Sequence, residues 1–279
     1  MKRSFVKFLK PKLIKPMTKY IQLLKLSWQN GFVYRTSLFM WRFRQFLSSV
    51  MSLTVWTVIY TSQSSVLGYD QTQMITYIFL SAFLQSCILA TALNSLSGRV
   101  YSGEISAQLV KPISLFGYLA IEDVADKLRN IFFILIETSL LYLIFIPTIP
   151  LPTLLNGALF VLAVLMGAVM NFIINLLFGA IGFWSPDTWG PKFMFFIMVE
   201  FTAGKLFPLD ILPPILEKLL YLTPFPYFSF VQTQIFLGRL DSVQIFWQLA
   251  SLAGWIVGLY LVTRWIWQRG LRDYAAAGQ

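Results

Sequence analysis

Forty-nine consecutive residues, 138–186, carry no charged side chain. A soluble domain does not sustain such a run, because its helices need a polar face and about a quarter of its residues are charged. A helix needs about 20 apolar residues to cross the hydrocarbon core of a bilayer, so this stretch holds more than one crossing. Pro147, Pro150 and Pro152 interrupt it, and proline ends a helix by removing a donor and clashing with the preceding turn. The run therefore divides into two spans, about 130–149 and about 154–180. Other uncharged runs cover 25 residues at 45–69, 28 residues at 71–98 and 22 residues at 242–263. A shorter apolar stretch at 193–207 carries Glu200. The pattern predicts an all-α polytopic membrane protein with six transmembrane helices.

Lys and Arg placement orients those spans, since cytoplasmic segments hold the excess of cations. Eleven of the 22 Lys and Arg residues precede residue 45, and no acid occurs before Asp70. With the N-terminus inside, Arg99, Lys111, Lys127, Arg129, Lys192, Arg264, Arg269 and Arg272 join them there. Only Lys205, Lys218 and Arg239 fall outside, a split of 19 to 3. Both termini are expected in the cytoplasm of a multi-pass protein of the plasma or inner membrane. The net charge of +10 is concentrated in the leader, which points to anionic lipid headgroups of the bilayer and not to nucleic acid. The first long apolar run begins only near residue 45, so the leader does not read as a cleavable signal. Residues 1–44 read as a basic cytoplasmic N-terminus and 45–279 as one six-span membrane domain. Within the leader, Thr18, Gln22, Lys25 and Gln29 share one helical face and Ile21, Leu24 and Trp28 another, the pattern of an interfacial helix.

Several chemistries are excluded by residue type. Histidine is absent, which removes His-ligated metal sites and His acid–base catalysis. Cys87 is the single cysteine and cannot form an internal disulfide. No G-x-S-x-G nucleophile motif and no G-x-x-x-x-G-K-[ST] phosphate loop occurs. The chain is therefore expected to be no enzyme, with no catalytic residue, metal or cofactor of its own.

Inside the spans, small and polar residues recur at every fourth position. Ala163, Gly167, Asn171, Asn175 and Gly179 form one row; Ala82, Ser86, Ala90 and Asn94 a second; Ala250, Gly254 and Gly258 a third. Such rows let helices approach closely, within the bundle or against a second subunit. Two acids, Glu137 and Glu200, sit at membrane depth, where ionisable groups are costly and are candidates for function. Each is expected near an end of its span, within reach of headgroup water.

Two connections differ from ordinary loops. Residues 104–110 form a short helical stretch closed by Lys111 and Pro112, with Ile105 and Leu109 one turn apart on an apolar edge. An amphipathic run at 119–130 follows, carrying Glu122, Asp123, Asp126, Lys127 and Arg129. The segment 207–240 is apolar but broken by Pro208, Pro213, Pro214, Pro224 and Pro226, so short helices dipping into the outer leaflet are expected.

In their order along the chain these features resemble the permease subunit of type-2 ABC exporters, in the branch whose members pair with a sister permease. The resemblance is carried by Gly103, Glu104, Ile105, Ser106, Ala107, Gln108, Leu109, Val110, Lys111, Pro112, Ile113 and Ser114. It is carried also by Gly204, Lys205, Leu206, Phe207, Pro208, Leu209, Asp210, Ile211, Leu212 and Pro213, then Pro224, Phe225, Pro226 and Gly238. It implies an N-terminal elbow helix, a cytoplasmic coupling helix between spans 2 and 3, and a Pro-rich outer hairpin between spans 5 and 6. It also implies ATP and Mg held by a separate cytoplasmic ABC ATPase subunit, and a second permease chain, related or identical. Gly103, Glu104, Ile105, Leu109, Lys111 and Pro112 would then couple the chain to the ATPase. An ion-coupled transporter using Glu137 and Glu200 is the competing reading.

Overall fold

The computed structural model describes residues 16–66, 68–109, 113–185 and 187–276. The cationic leader before residue 16, together with Lys111 and Pro112, lies outside the described residues. Apart from one small hairpin, the described chain is helical.

Helix α1 (Pro16–Asn30) starts on a proline, whose missing N–H costs nothing in a first turn. It runs along the first half of α6 (Leu115–Phe145), with Trp28 edge-on to Phe132 at 6.5 Å. Thr18, Gln22, Lys25 and Gln29 face outward, as does Ile21, while Leu24 and Trp28 are half-buried.

Helix α2 (Arg35–Ile59) begins ten residues before the expected span. Its buried positions, Arg42, Gln45, Ser49 and Leu53, are spaced three, four and four apart and form one stripe that is mostly polar. Phe39, Phe43, Leu47, Met51, Val55 and Val58 are exposed. Apolar-out and polar-in is the inverse of a soluble helix and fits a hydrocarbon surround.

Strands β1 (Ser65–Val66) and β2 (Tyr69–Asp70) pair antiparallel and lead into α3 (Gln71–Leu84). Asp70 and Gln73 close a reciprocal capping box there. The expected second span, 71–98, is not one helix. A π-helical turn (Gln85–Leu89) is followed by extended backbone at Ala90 and Thr91, a 3₁₀ turn (Ala92–Ser95), then α4 (Leu96–Tyr101) and α5 (Ser106–Leu109).

Helix α6 fuses the amphipathic run 119–130 with the expected third span in 31 continuous residues. It stops at Ile146 in the left-handed region (φ 42°), next to Pro147. Helix α7 (Leu154–Ala180), capped by Thr153, lies at the centre, against α4, α10 (Phe230–Phe236) and α11 (Ser242–Ala276). Helix α8 (Trp189–Thr202) is displaced toward the N-terminus of the expected 193–207 span and ends before residue 207. After α9 (Pro214–Tyr221), α10 inserts into the bundle with every residue from 230 to 235 buried. Its first N–H, at Phe230, donates to Ala203 O at 3.0 Å.

Four stretches among the described residues are long and apolar enough to cross a bilayer: Gln71–Leu89, Leu115–Phe145, Leu154–Phe183 and Ser242–Asp273. Helix α2 carries Arg35, Arg42 and Arg44, and α8 has 14 residues, so neither passes on length and composition alone. The larger apolar core joins α3, α7 and α10; a smaller one gathers Leu93, Leu96, Val100, Ile105, Leu119, Leu176 and Trp267 at the end of the bundle that holds α5.

Candidate functional site

The break at Ala90–Thr91 creates the chemistry of the α5 end. The last carbonyls of a helix have no intrahelical partner, and hydrocarbon offers them no water. Two lysines supply donors. Lys127 Nζ donates to Ala90 O at 2.5 Å and to Asp123 at 2.7 Å, and Thr91 Oγ1 donates to the same carboxylate at 2.6 Å. Lys192 Nζ, at the start of α8, donates to Asn94 O and to Leu93 O. Each ammonium is thus held against carbonyl dipoles.

Helix α6 carries a series of matched charges along the same end. Glu122 pairs with Arg99 at 3.0 Å and accepts from Tyr118 at 2.7 Å. Asp126 pairs with Arg129 and accepts from Asn130 Nδ2 at 3.1 Å. Glu137 accepts from Arg42 Nε at 2.6 Å. Arg42 Nη1 donates to Asn130 Oδ1 at 3.2 Å and to Ser86 Oγ at 3.4 Å, and Gln45 Nε2 donates to Gln85 Oε1 at 2.6 Å. The polar stripe of α2 is therefore bound to α6 and to the π-helical turn.

Between these elements lies a cavity of about 570 Å³, walled by Arg42, Gln45, Ser86, Asn94, Arg129 and Asn130 among others. On the other side of α6 a groove of about 560 Å³ is almost wholly apolar and includes Cys87, Val164 and Phe172. At the opposite end of the bundle, next to the β-hairpin, Tyr69 donates to Asp210 at 2.8 Å and accepts from Gln234 Nε2 at 2.6 Å. Arg239 lies over the Tyr69 ring at 3.9 Å and donates to Gly68 O at 2.9 Å. Burial and the Asp210 carboxylate push the Tyr69 hydroxyl well above the ordinary phenol range, so it remains a donor.

The candidates read from the sequence scatter over this frame. Gly103 adopts φ +80°, the left-handed turn between α4 and α5 that favours glycine. Glu104 is exposed and faces Arg99 at 3.5 Å. Ile105 is completely buried in the smaller core, which corrects its reading as an apolar edge open to a partner: it anchors the segment to the chain's own bundle. Leu109 closes α5, its side chain outside the description. Glu137 lies in the last third of α6 and is buried against Arg42, not open to headgroup water as expected. Glu200 is half-exposed and paired with Lys205 at 2.8 Å.

Of the small-residue rows, Ala163, Gly167, Asn171, Asn175 and Gly179 are buried on one face of α7. A Cβ at Gly167 would meet the Tyr227 carbonyl at 3.0 Å, so the close approach there needs glycine. The second row does not hold as one face, since the break follows Ala82 and Ser86 and turns Asn94 outward. The third row, Ala250, Gly254 and Gly258, is exposed, and a Cβ at either glycine meets nothing within 4 Å. It does not pack within this chain.

Sequence reasoning passed over Arg42 and Lys192, counting both as cytoplasmic cations. The spacing of Arg42, Gln45 and Ser49 on one helical face was the signal available for the first; nothing local marks the second. No group of acids and cysteine suited to a metal occurs among the described residues. The pairs above join helix to helix.

No curated protein matches the chain. The sequence profile of one family, described as ABC-2 family transporter protein, matches residues 46–278. That stretch takes in the inner part of α2, the broken α3, the charged α6, the central α7 and the inserted α10. The chain belongs to the ABC-2 family of transporter membrane proteins, as a multi-pass permease.

Proposed function

We propose that this permease is the membrane subunit of an ATP-driven exporter, which moves its substrate outward or between leaflets while a separate ABC ATPase hydrolyses ATP. In this reading α2, α3, α6, α7, α8 and α11 are six spans with both termini in the cytoplasm. Helix α1 is an elbow at the interface, and α9 with α10 forms the outer hairpin. The α5 end is then cytoplasmic, in keeping with the excess of Lys and Arg there. A second permease chain completes the pathway.

The observation that carries the reading is the α4–α5 segment. It joins α3 to α6, the Ile105 anchor holds it to the bundle, and Arg99 ties Glu104 and Glu122 together across it. A short and firmly mounted helix between two spans, with Glu104 and Ala107 exposed, is what a cytoplasmic ATPase needs to grip. The phosphate loop missing from the sequence belongs on that partner. The competing ion-coupled reading loses support, because Glu137 and Glu200 are each already paired with a cation of this chain.

The test is Leu109→Asp in the chain co-expressed with its ATPase. Association is expected to weaken about five- to thirtyfold, as for loss of one apolar hot spot, with the permease still in the membrane. Undiminished ATPase co-purification together with undiminished transport would overturn the docking assignment.

A further inference from the structure

We infer that the groove between α6 and α7 holds one acyl chain of a membrane lipid, its headgroup at the Ala120 end and its methyl end against Phe160. Consecutive helices joined by a short turn commonly pack side by side, yet α6 and α7 scarcely touch. Each leans instead on the π-helical turn (Gln85–Leu89), so the two stand as walls with Phe83 and Cys87 as the floor between them. Both walls belong to stretches long and apolar enough to cross a bilayer, so the groove, about 560 Å³, opens on hydrocarbon. Val124 and Leu128 on one wall and Val161, Leu165 and Val169 on the other are exposed at its lips. Close packing leaves few voids larger than a water molecule inside a protein, so a groove this wide is one that a ligand fills.

The walls select the occupant. Asp123 and Lys127 are their two charged residues, and both are buried, bonded to each other and to the break at Ala90 and Thr91. A polar ligand would shed its water there and gain no partner in return. A helix of a second chain fits poorly too: it is about 10–12 Å wide and approaches through small residues, whereas these walls are mostly branched and aromatic. An extended hydrocarbon chain suits the length. Wall residues 120–131 and 160–172 each rise about 17 Å, close to the roughly 15 Å hydrocarbon depth of one leaflet. At the Ala120 end the groove meets the charged start of α6, where Glu122 pairs with Arg99, a setting for a headgroup. At the other end it is closed by Phe160, buried edge-on to Phe236 at 5.2 Å. The Ala120 end is cytoplasmic in the orientation proposed above, so the choice of leaflet rests on that reading; the binding does not. A chain lying over Lys127 also keeps water from its bond to Ala90 O, and such a bond is stronger where it is dry.

The experiment uses the full chain in phosphatidylcholine nanodiscs, without ATPase or nucleotide, so that a failure here is separate from a failure of the exporter reading. A trace of phosphatidylcholine with a diazirine in one acyl chain is irradiated, and the labelled residues are identified by peptide mass spectrometry. Phe83, half-buried on the floor, is expected to be labelled at least as strongly as Met51 and Val55 on the exposed face of α2. Ala168→Trp fills the groove from α7, and Ala120→Trp blocks its mouth from α6. Each should cut Phe83 labelling about tenfold, equivalent to about 1.4 kcal/mol in occupancy, and leave Met51 and Val55 unchanged. A diazirine near the carboxyl carbon should mark Val124 above Phe160, and one near the terminal methyl Phe160 above Val124. Absence of label from Phe83 in the unmodified chain overturns the proposal, as does Phe83 labelling that survives both variants. A reversed depth order overturns the placement of the headgroup. Loss of the Phe83 label when two chains share a disc gives the groove to a second copy and overturns the lipid.

Discussion

Helices α2 and α7 are of similar length, 25 and 27 residues, yet they attach to the bundle by opposite means. The buried stripe of α7 is small: Ala163, Gly167 and Gly179 bring its backbone close to Tyr227, Ile88 and Leu96. Its attachment is dispersion and shape, spread over many weak contacts. The buried stripe of α2 is Arg42, Gln45 and Ser49, and its attachment is a handful of directional bonds to α6 and the π-helical turn. In hydrocarbon, where apolar surface gains little by leaving lipid for protein, both are workable. Close packing resists sliding in every direction. A few hydrogen bonds hold one arrangement and release as a set.

That contrast breaks first at Arg42. Arg42→Gln removes one partner of a buried ion pair and is expected to cost about 3–5 kcal/mol in the unfolding free energy of the chain in micelles. Adding Glu137→Gln should restore most of it; a double variant as unstable as the single would mean that α2 is held by something other than this pair. A smaller loss is expected in α7. Gly167→Val meets the Tyr227 carbonyl and the Ile88 side chain, and overpacking of this kind costs about 1–3 kcal/mol. A valine accepted there without loss would show that α7 is not closely packed. The smallest effect belongs to α11. Gly254→Val, pointing into open space, should change stability in the isolated chain by no more than about 0.5 kcal/mol. A larger loss measured on the chain alone would place α11 inside its own bundle after all.

What the sequence could and could not reveal follows from the range of the forces involved. Helix α7 was legible because prolines at 147, 150 and 152 bound it and its packing row repeats within it. The third row shows the limit of that signal: spacing says that Gly254 and Gly258 share a face, not what the face touches. Charge misled in α6. The acids and cations at 119–130 argued for a connection outside the third span, but each finds its partner on α4, at the break of α3 or within α6, so the helix runs through. The break itself had no local mark, since neither Pro nor Gly lies at Ala90–Thr91. Lys127 reaches the break from 37 residues away in sequence, and Lys192 reaches the 3₁₀ turn just after it, at Leu93, from 99 residues away. Arg42 was hidden for the same reason, its acid lying 95 residues further along.

The interruption at Ala90–Thr91 also has a mechanical consequence. An unbroken helix from Gln71 to Tyr101 would be a stiff rod, and a push at one end would shift the other by the same amount. With extended backbone in the middle it is two arms and a joint, the joint's stiffness set by three ammonium–carbonyl contacts from two lysines. The far arm is clasped by Tyr77 on the Gly204 carbonyl and by the Tyr69–Asp210 contact, so a torque on α4 swings the near arm while the far one stays put. In the exporter proposed above, a push on α4 would then be felt at the near end of the bundle first.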